Sequence, residues 1–143
     1  PSTSSAASDV YKRQPFISML SKAKMVISKI GRLKGVSMSF KSISVADAAQ
    51  SIKNGVLVID VREQNEYDQA HIENSVLVPL STVSAEKISE INPQNKTILI
   101  HCHAGKRSKV AANIILSQGY TGEILELDEG ISAWIEFGQK IIS

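Results

Sequence analysis

The chain has 143 residues, is 43% hydrophobic and carries a formal net charge of +2, which fits one globular domain with a core of its own. Its charge is uneven: residues 1–40 hold seven Lys/Arg against one acid, while residues 41–143 hold nine against thirteen, so the main body is mildly acidic and unlike a nucleic-acid-binding domain. The single cysteine excludes an internal disulfide, a CxxC redox pair and a multi-Cys zinc site, and no apolar run reaches the roughly 18 residues of a membrane span.

Residues 1–14, PSTSSAASDVYKRQ, are small, polar and aperiodic. They read as a disordered segment of adapter or vector origin outside the fold. Residues 15–37 form a basic extension. Within 16–34, Leu20, Ala23, Ile27 and Ile30 fall at helical spacing, with Lys22, Lys29 and Arg32 off that stripe. Such a helix is able to touch an anionic membrane surface. Packing on the domain, or a plain upstream extension, is the more ordinary reading. Met19, Met25 and Met38 are all candidate starts.

From Phe40 onward the pattern is regular. Ser44-Val45-Ala46-Asp47 is a capping box and opens a helix through Lys53, stopped by Asn54-Gly55. Val56–Val61 is an apolar run, predicted as a strand buried on both faces. The polar stretch Arg62–His71 carries a short helix around Glu66–Gln69. Val76–Val78 is a brief strand stopped by Pro79, and Ser84–Ile91 a helix closed by Asn92-Pro93. Thr97–His101 is a strand, Ser108–Gln118 a helix ended by Gly119, Ile124–Leu127 a strand and Ile131–Phe137 a helix. Strands alternating with helices predict an α/β domain with a parallel sheet covered on both sides. In such sheets ligands gather at the carboxyl ends of the strands, where Asp60 and Cys102 stand.

The Thr97–His101 strand delivers the only cysteine, Cys102, to a short loop with Gly105, Lys106 and Arg107. A thiol there faces a helix N-terminus, loop N–H groups and two cations, all of which favour the thiolate. Cys102 therefore reads as a nucleophile rather than a small buried hydrophobe. Gly105 allows close backbone approach. Lys106 and Arg107 suit an anionic substrate. Ser108 reads as the helix cap, with a hydroxyl also in reach of the sulfur. His101 and His103 flank the thiol, and neither has the companions of a metal site. Asp60 reads as a support for the loop region. Arg62 is open between pairing with Glu63, Glu66 or another acid and pointing at substrate. Tyr67, His71 and Trp134 read as packing anchors.

Taken together, these residues resemble the rhodanese family, specifically its small single-domain sulfurtransferases. The matching text is Val58-Ile59-Asp60-Val61-Arg62-Glu63, Glu66-Tyr67, His71-Ile72, Val78-Pro79-Leu80, the loop Cys102-His103-Ala104-Gly105-Lys106-Arg107-Ser108, and Leu127 through Gly130 to Trp134. The resemblance implies a rhodanese-like α/β domain over residues 38–143, with a five-stranded parallel sheet and helices on both faces. It implies that Cys102 takes a sulfane sulfur from thiosulfate or glutathione persulfide. The resulting persulfide then passes its outer sulfur to cyanide or a thiol such as glutathione or thioredoxin. His103, Ala104, Gly105, Lys106, Arg107, Ser108 and Arg62 are the expected substrate-binding residues, with Asp60 as support. No cofactor, metal or nucleic acid is expected. A cytoplasmic setting is expected, because a lone reactive thiol needs reducing surroundings.

Two departures from the family pattern stand out. His71-Ile72-Glu73-Asn74-Ser75 replaces the usual His-Ile-Pro-Gly-Ala, with Asn74 able to take the left-handed turn of a glycine. Glu129-Gly130 replaces a Gly-Gly pair. Two alternatives remain open. One is a non-turnover persulfide carrier or binding module of the same fold. The other is a cysteine phosphatase or arsenate reductase, whose Cys-x5-Arg loop is one residue longer than the Cys-x4-Arg spacing of Cys102 to Arg107.

Overall fold

Five short strands form one parallel sheet in the order β1-β5-β4-β2-β3. The strands are β1 (Phe40–Ile43), β2 (Leu57–Asp60), β3 (Val76–Leu77), β4 (Ile98–His101) and β5 (Ile124–Leu127). Five α-helices connect and cover them: α1 (Val45–Lys53), α2 (Gln64–Gln69), α3 (Ala85–Ile91), α4 (Lys106–Ser117) and α5 (Gly130–Glu136). This computed structural model describes residues 39–143. The expectations for residues 1–14 and 15–37, including the helix at 16–34 and its membrane contact, lie outside the described residues.

Successive strand side chains point to opposite faces, and that alternation divides the core. Ile59, Ile98, Ile100 and Ile124 face Ile88 of α3 and Ala111, Ala112 and Ile115 of α4. Val58, Leu99 and Leu127 face the other way, toward Ala48 of α1 and Ile131, Ala133 and Trp134 of α5. β4 is central, and all four of its residues are buried. Covering both faces is what parallel strands require, since neither face is left to water. No helix among the described residues is long and apolar enough to cross a membrane.

Local signals set the helix ends. Ser44 Oγ accepts from the Asp47 N–H at 3.2 Å, and Ser84 Oγ from the Lys87 N–H at 3.0 Å. These bonds satisfy amide donors that a helix N-terminus otherwise leaves open. Asn54 caps the end of α1, and Gly55 follows with φ +97°. Asn74 does adopt the left-handed conformation, at φ +67°.

Besides shifts of one or two residues at other element ends, four differences from the sequence reading stand out. β1 was not anticipated. It is a four-residue edge strand with Lys41 and Ser42 exposed, and among the described residues it pairs only with β5, so it carries no buried-strand signature. A 3-10 turn at Leu80–Thr82 was also missed. β2 is shorter than the apolar run Val56–Val61, because the run extends past the residues that pair. α4 begins two residues before Ser108, at Lys106, with Gly105 as its N-cap.

Residues Ser39–Ser143 form one compact unit. A chain beginning at Met38 is therefore expected to fold alone, with mixed α/β circular dichroism and one cooperative urea transition. An unfolded truncated chain would show that the domain needs residues before Met38.

Candidate active site

Cys102 leaves the carboxyl end of β4 and is 1% exposed. Its sulfur accepts the Gly105 N–H at 3.1 Å. Gly105 makes this possible by turning the chain at φ +103°, a left-handed conformation costly for other residues. The turn also starts α4, so the positive end of a 12-residue helix stands at the sulfur. Burial pushes the Cys102 thiol up. Hydrogen bonding from Ser108 and from the backbone N–H groups of Gly105 and Ala104 outweighs that effect, so the thiol lies below its ordinary range.

The loop is pressed against the turn between β5 and α5. At the start of α5, the Ile131 N–H donates to the Cys102 carbonyl at 2.9 Å and the Ser132 N–H to the His103 carbonyl at 3.0 Å. The loop carbonyls are thereby held away from the sulfur. Two glycines allow the approach. A Cβ on Gly105 would overlap the Asp128 carbonyl, and one on Gly130 would overlap the His103 carbonyl and the Ala104 nitrogen. The neighbouring Glu129 of the Glu129-Gly130 departure is exposed. Only the glycine retained at 130 meets the loop.

Ser108 lies inside α4 and is fully buried. It was expected to cap the helix, but Gly105 does so, and the Ser108 hydroxyl is freed for the site. That hydroxyl lies 3.5 Å from Cys102 Sγ and donates to Glu126 Oε2 at 2.6 Å. Glu126 escaped the sequence reading, although a lone carboxylate in the apolar strand Ile124–Leu127 was a visible signal. It lies on the α4 side because strand alternation places it with Ile124 and Ile100, its partner across β4. Lys109 reaches Glu126 Oε2 at 3.2 Å, Asp128 Oδ1 at 2.9 Å and the Gly105 carbonyl at 3.1 Å. It ties the loop to β5.

Asp60 and Arg62 form a second buried cluster. The Arg62 guanidinium bonds both Asp60 oxygens, at 2.8 to 3.1 Å, and the Ala70 carbonyl at 2.7 Å. Of the roles left open for Arg62, the structure has pairing, with Asp60 as the acid instead of Glu63 or Glu66. Asp60 accepts one backbone bond, from the Arg62 N–H at 3.0 Å. Its support is thus for the turn after β2, one strand away from the cysteine loop. His101 is fully buried. Its Nδ1 is 3.2 Å from the Cys102 carbonyl, and its Nε2 has no hydrogen-bond partner and lies 3.6 Å from Asp60. Burial pushes His101 down and keeps the ring neutral at pH 7.

The two loop cations separate. Arg107 is held by Glu66 of α2 through two bonds of 2.8 and 3.0 Å. Lys106 is exposed, with no ion-pair partner among the described residues, and His103 and Ala104 are exposed beside it. Tyr67 and His71 stack with ring centroids 3.9 Å apart, and Trp134 is buried in the core. All three pack as the sequence indicated.

A parallel α/β sheet that hands one cysteine to an N–H-lined turn at a helix start defines a class of domains with a thiol at the sheet's carboxyl edge. The chain belongs to the rhodanese family: the model of the Rhodanese-like domain matches residues 44–137. It is 33% identical over 98 residues to thiosulfate sulfurtransferase GlpE of Coxiella burnetii, covering 68% of this chain and 89% of that protein. It is 38% identical over 77 residues to YrkF of Bacillus subtilis, and that match spans 40% of YrkF. Among solved structures, a rhodanese-related protein of Thermoplasma volcanium superposes with a TM-score of 0.62 at 33% identity, covering 72% of this chain and 98% of that one.

Two outcomes are expected from this geometry. Gly130→Ala should destabilise the fold by about 2 kcal/mol or more, because it combines positive φ with backbone overlap. It should also slow alkylation of Cys102, because the loop must shift. A urea midpoint within error of wild type would refute the close-approach account. The second outcome concerns pH. The Arg107 guanidinium holds the Glu66 carboxyl down to about 2. Glu66 therefore stabilises the fold above the ordinary value of 4.5, and that contribution is lost as pH falls from there toward 2. Glu66→Gln should lower the urea midpoint at pH 7, with a gap to wild type that narrows by pH 3. A gap that stays constant would show that the pair adds no pH-dependent stability.

Proposed function

We propose that this domain is a sulfurtransferase of the rhodanese type, with Cys102 as the residue that carries the sulfur. The observation that supports this most strongly is the convergence of the loop on Sγ itself, through the Gly105 N–H at 3.1 Å. A phosphatase cradle must instead enclose a tetrahedral oxyanion beyond its sulfur. A cradle drawn in around one sulfur atom suits a persulfide, whose terminal atom is a single anion. The family match and the similarity to GlpE agree with this reading.

The reaction has two displacements. The Cys102 thiolate attacks the outer sulfur of a donor such as thiosulfate. A new S–S bond forms, the donor's S–S bond breaks, and sulfite leaves with the electron pair. No general acid is required, because sulfite leaves as an anion. A thiol or cyanide acceptor then attacks the terminal sulfur of the persulfide, and Cys102 departs as a thiolate. Such a sequence is ping-pong. The loop N–H groups and the start of α4 stabilise the charge on sulfur in both steps.

The substrate-binding residues divide by position. Ala104, Gly105 and Ser108 act on the sulfur through hydrogen bonds. Lys106 and His103 line the outer rim, where Lys106 is the cation free to meet an anionic donor. Arg107 contributes field at the sulfur while held by Glu66. Arg62 is engaged with Asp60 and takes no part in donor binding. Because Cys102 is so little exposed, the donor sulfur must be a terminal atom. Thiosulfate and glutathione persulfide both meet that condition, and reduced glutathione or thioredoxin are fitting acceptors in a reducing cytoplasm.

Incubation with thiosulfate is expected to leave the protein heavier by one sulfur atom in intact mass spectrometry. Cyanide or dithiothreitol should restore the starting mass. Cys102→Ser should show neither adduct nor turnover, because a serine hydroxyl is far less acidic than a thiol and a much weaker nucleophile toward sulfur. An adduct that forms but does not turn over would identify a carrier. A folded wild-type protein that gains no sulfur from any donor would sink the proposal.

A further inference from the structure

The first turn of α4 carries Lys106, Arg107 and Lys109 beside the cysteine. Two of these cations are already matched by acids. Lys109 Nζ lies 3.2 Å from Glu126 Oε2 and 2.9 Å from Asp128 Oδ1. Both terminal nitrogens of Arg107 are turned to the Glu66 carboxylate, at 2.8 and 3.0 Å. Behind the loop, Arg62 is matched by Asp60. Of the three cations on α4, only Lys106 is exposed with no ion-pair partner among the described residues.

The Glu66–Arg107 pair is a built feature. Glu66 Oε1 also accepts the Glu63 N–H at 3.0 Å, within the capping box that starts α2. The start of α2 therefore fixes the carboxylate in front of Arg107. The two side chains are 28% and 33% exposed, which places the pair at the open mouth and not in the core. The Arg107 charge is also within electrostatic reach of the Cys102 sulfur and of Glu63. A carboxylate in contact with a guanidinium cancels most of its field a few ångströms away, whereas an unpaired Lys106 keeps its own. The attacking thiolate is itself an anion. Each negative charge on a donor must therefore be met by free positive charge at the mouth.

We propose that Glu66 is a specificity-determining residue. By neutralising Arg107 it leaves one free cation at the mouth, and so directs the site toward donors with a single negative charge, the class R–S–S⁻, and away from dianions such as thiosulfate. The inference deepens the sulfur-transfer reading and rests on it. Glu66 acts through Arg107 and through its own charge, and Lys106 is the cation that meets the donor.

The test compares two donors on the full chain at one pH, thiosulfate and methanethiosulfonate. They differ by one charge. Cys102 takes the outer sulfur of either, the donor's S–S bond breaks, and sulfite or methanesulfinate leaves with the electron pair. The readout is the ratio of the two second-order rates of persulfide formation, thiosulfate over methanethiosulfonate, followed by intact mass spectrometry. The same thiolate attacks both donors, so its population cancels from the ratio. Glu66→Gln should raise the ratio about threefold, the size of one unit-charge interaction across several ångströms of wet surface. Lys106→Gln should lower it by a similar factor. Glu66→Gln combined with Arg107→Gln removes both members of the pair, and should leave the ratio within about twofold of wild type. The single-variant effects should shrink at high salt. If Glu66→Gln fails to fold, the double variant set against Lys106→Gln decides the matter. A ratio that is unchanged or lower in Glu66→Gln would overturn the proposal. So would a double variant that loses as much as Lys106→Gln, because Arg107 would then be meeting the donor itself. Alkylation by iodoacetate and iodoacetamide, which also differ by one charge, needs no sulfur donor. A chain that takes sulfur from neither donor would refute the sulfur-transfer reading. The iodoacetate-to-iodoacetamide ratio would still be expected to rise in Glu66→Gln and fall in Lys106→Gln, and its failure to do so would refute the charge selection separately.

Discussion

The contact between the Cys102 loop and the turn from β5 into α5 sets the geometry around the sulfur. The loop must point its N–H groups inward, yet a tight turn also has carbonyls to dispose of, and buried backbone groups need partners. The first amides of α5 supply those partners for Cys102 and His103. Amides at a helix N-terminus are open for such use because they have no carbonyl within their own helix. The contact requires backbone against backbone, and Gly105 and Gly130 allow it by lacking a Cβ. The left-handed turn at Gly105 then starts α4 two residues early. That early start carries Ser108 inside the helix, where its side chain faces the sulfur and β5.

Charge is arranged in layers about this contact. Asp60 and Arg62 are buried together beside β2, and each satisfies the other through several bonds. A buried pair of this kind adds little net stability compared with apolar packing, but losing one member would strand the other. Its effect is to fix the turn after β2. Arg107 and Glu66 join the cysteine loop to α2 at the rim. Lys109 joins the loop to β5 on the opposite side. The loop is thus held from three directions. Lys106, at its outer edge, has no such tie among the described residues.

Much of the fold was legible in single residues. Ser44 and Ser84 announce helix starts because their hydroxyls reach the open amides of the first turn. Ile98 to Ile100 announce a central strand because only burial on both faces favours an unbroken apolar run. Other features were not legible because their signals were weak or shared. Phe40–Ile43 lies at the sheet edge, and a four-residue stretch with two exposed polar residues in its middle does not distinguish a strand from a loop. A serine three residues after a glycine in a cationic loop reads as a cap until the left-handed turn at Gly105 moves the cap forward.

The sequence by itself determined the order of β2 to β5 and of the α-helices between and after them, the parallel α/β class, the place of Cys102 at a strand's carboxyl end and the family to which the chain belongs. Those follow from local patterns, since periodicity, capping and turn residues act over a few positions. Tertiary structure alone decided the partners. It joined Arg107 to Glu66 across 41 positions and Ser108 to Glu126 across 18. No local pattern carries those choices, because they depend on which strands lie side by side and on the face that each alternating side chain takes in the finished sheet.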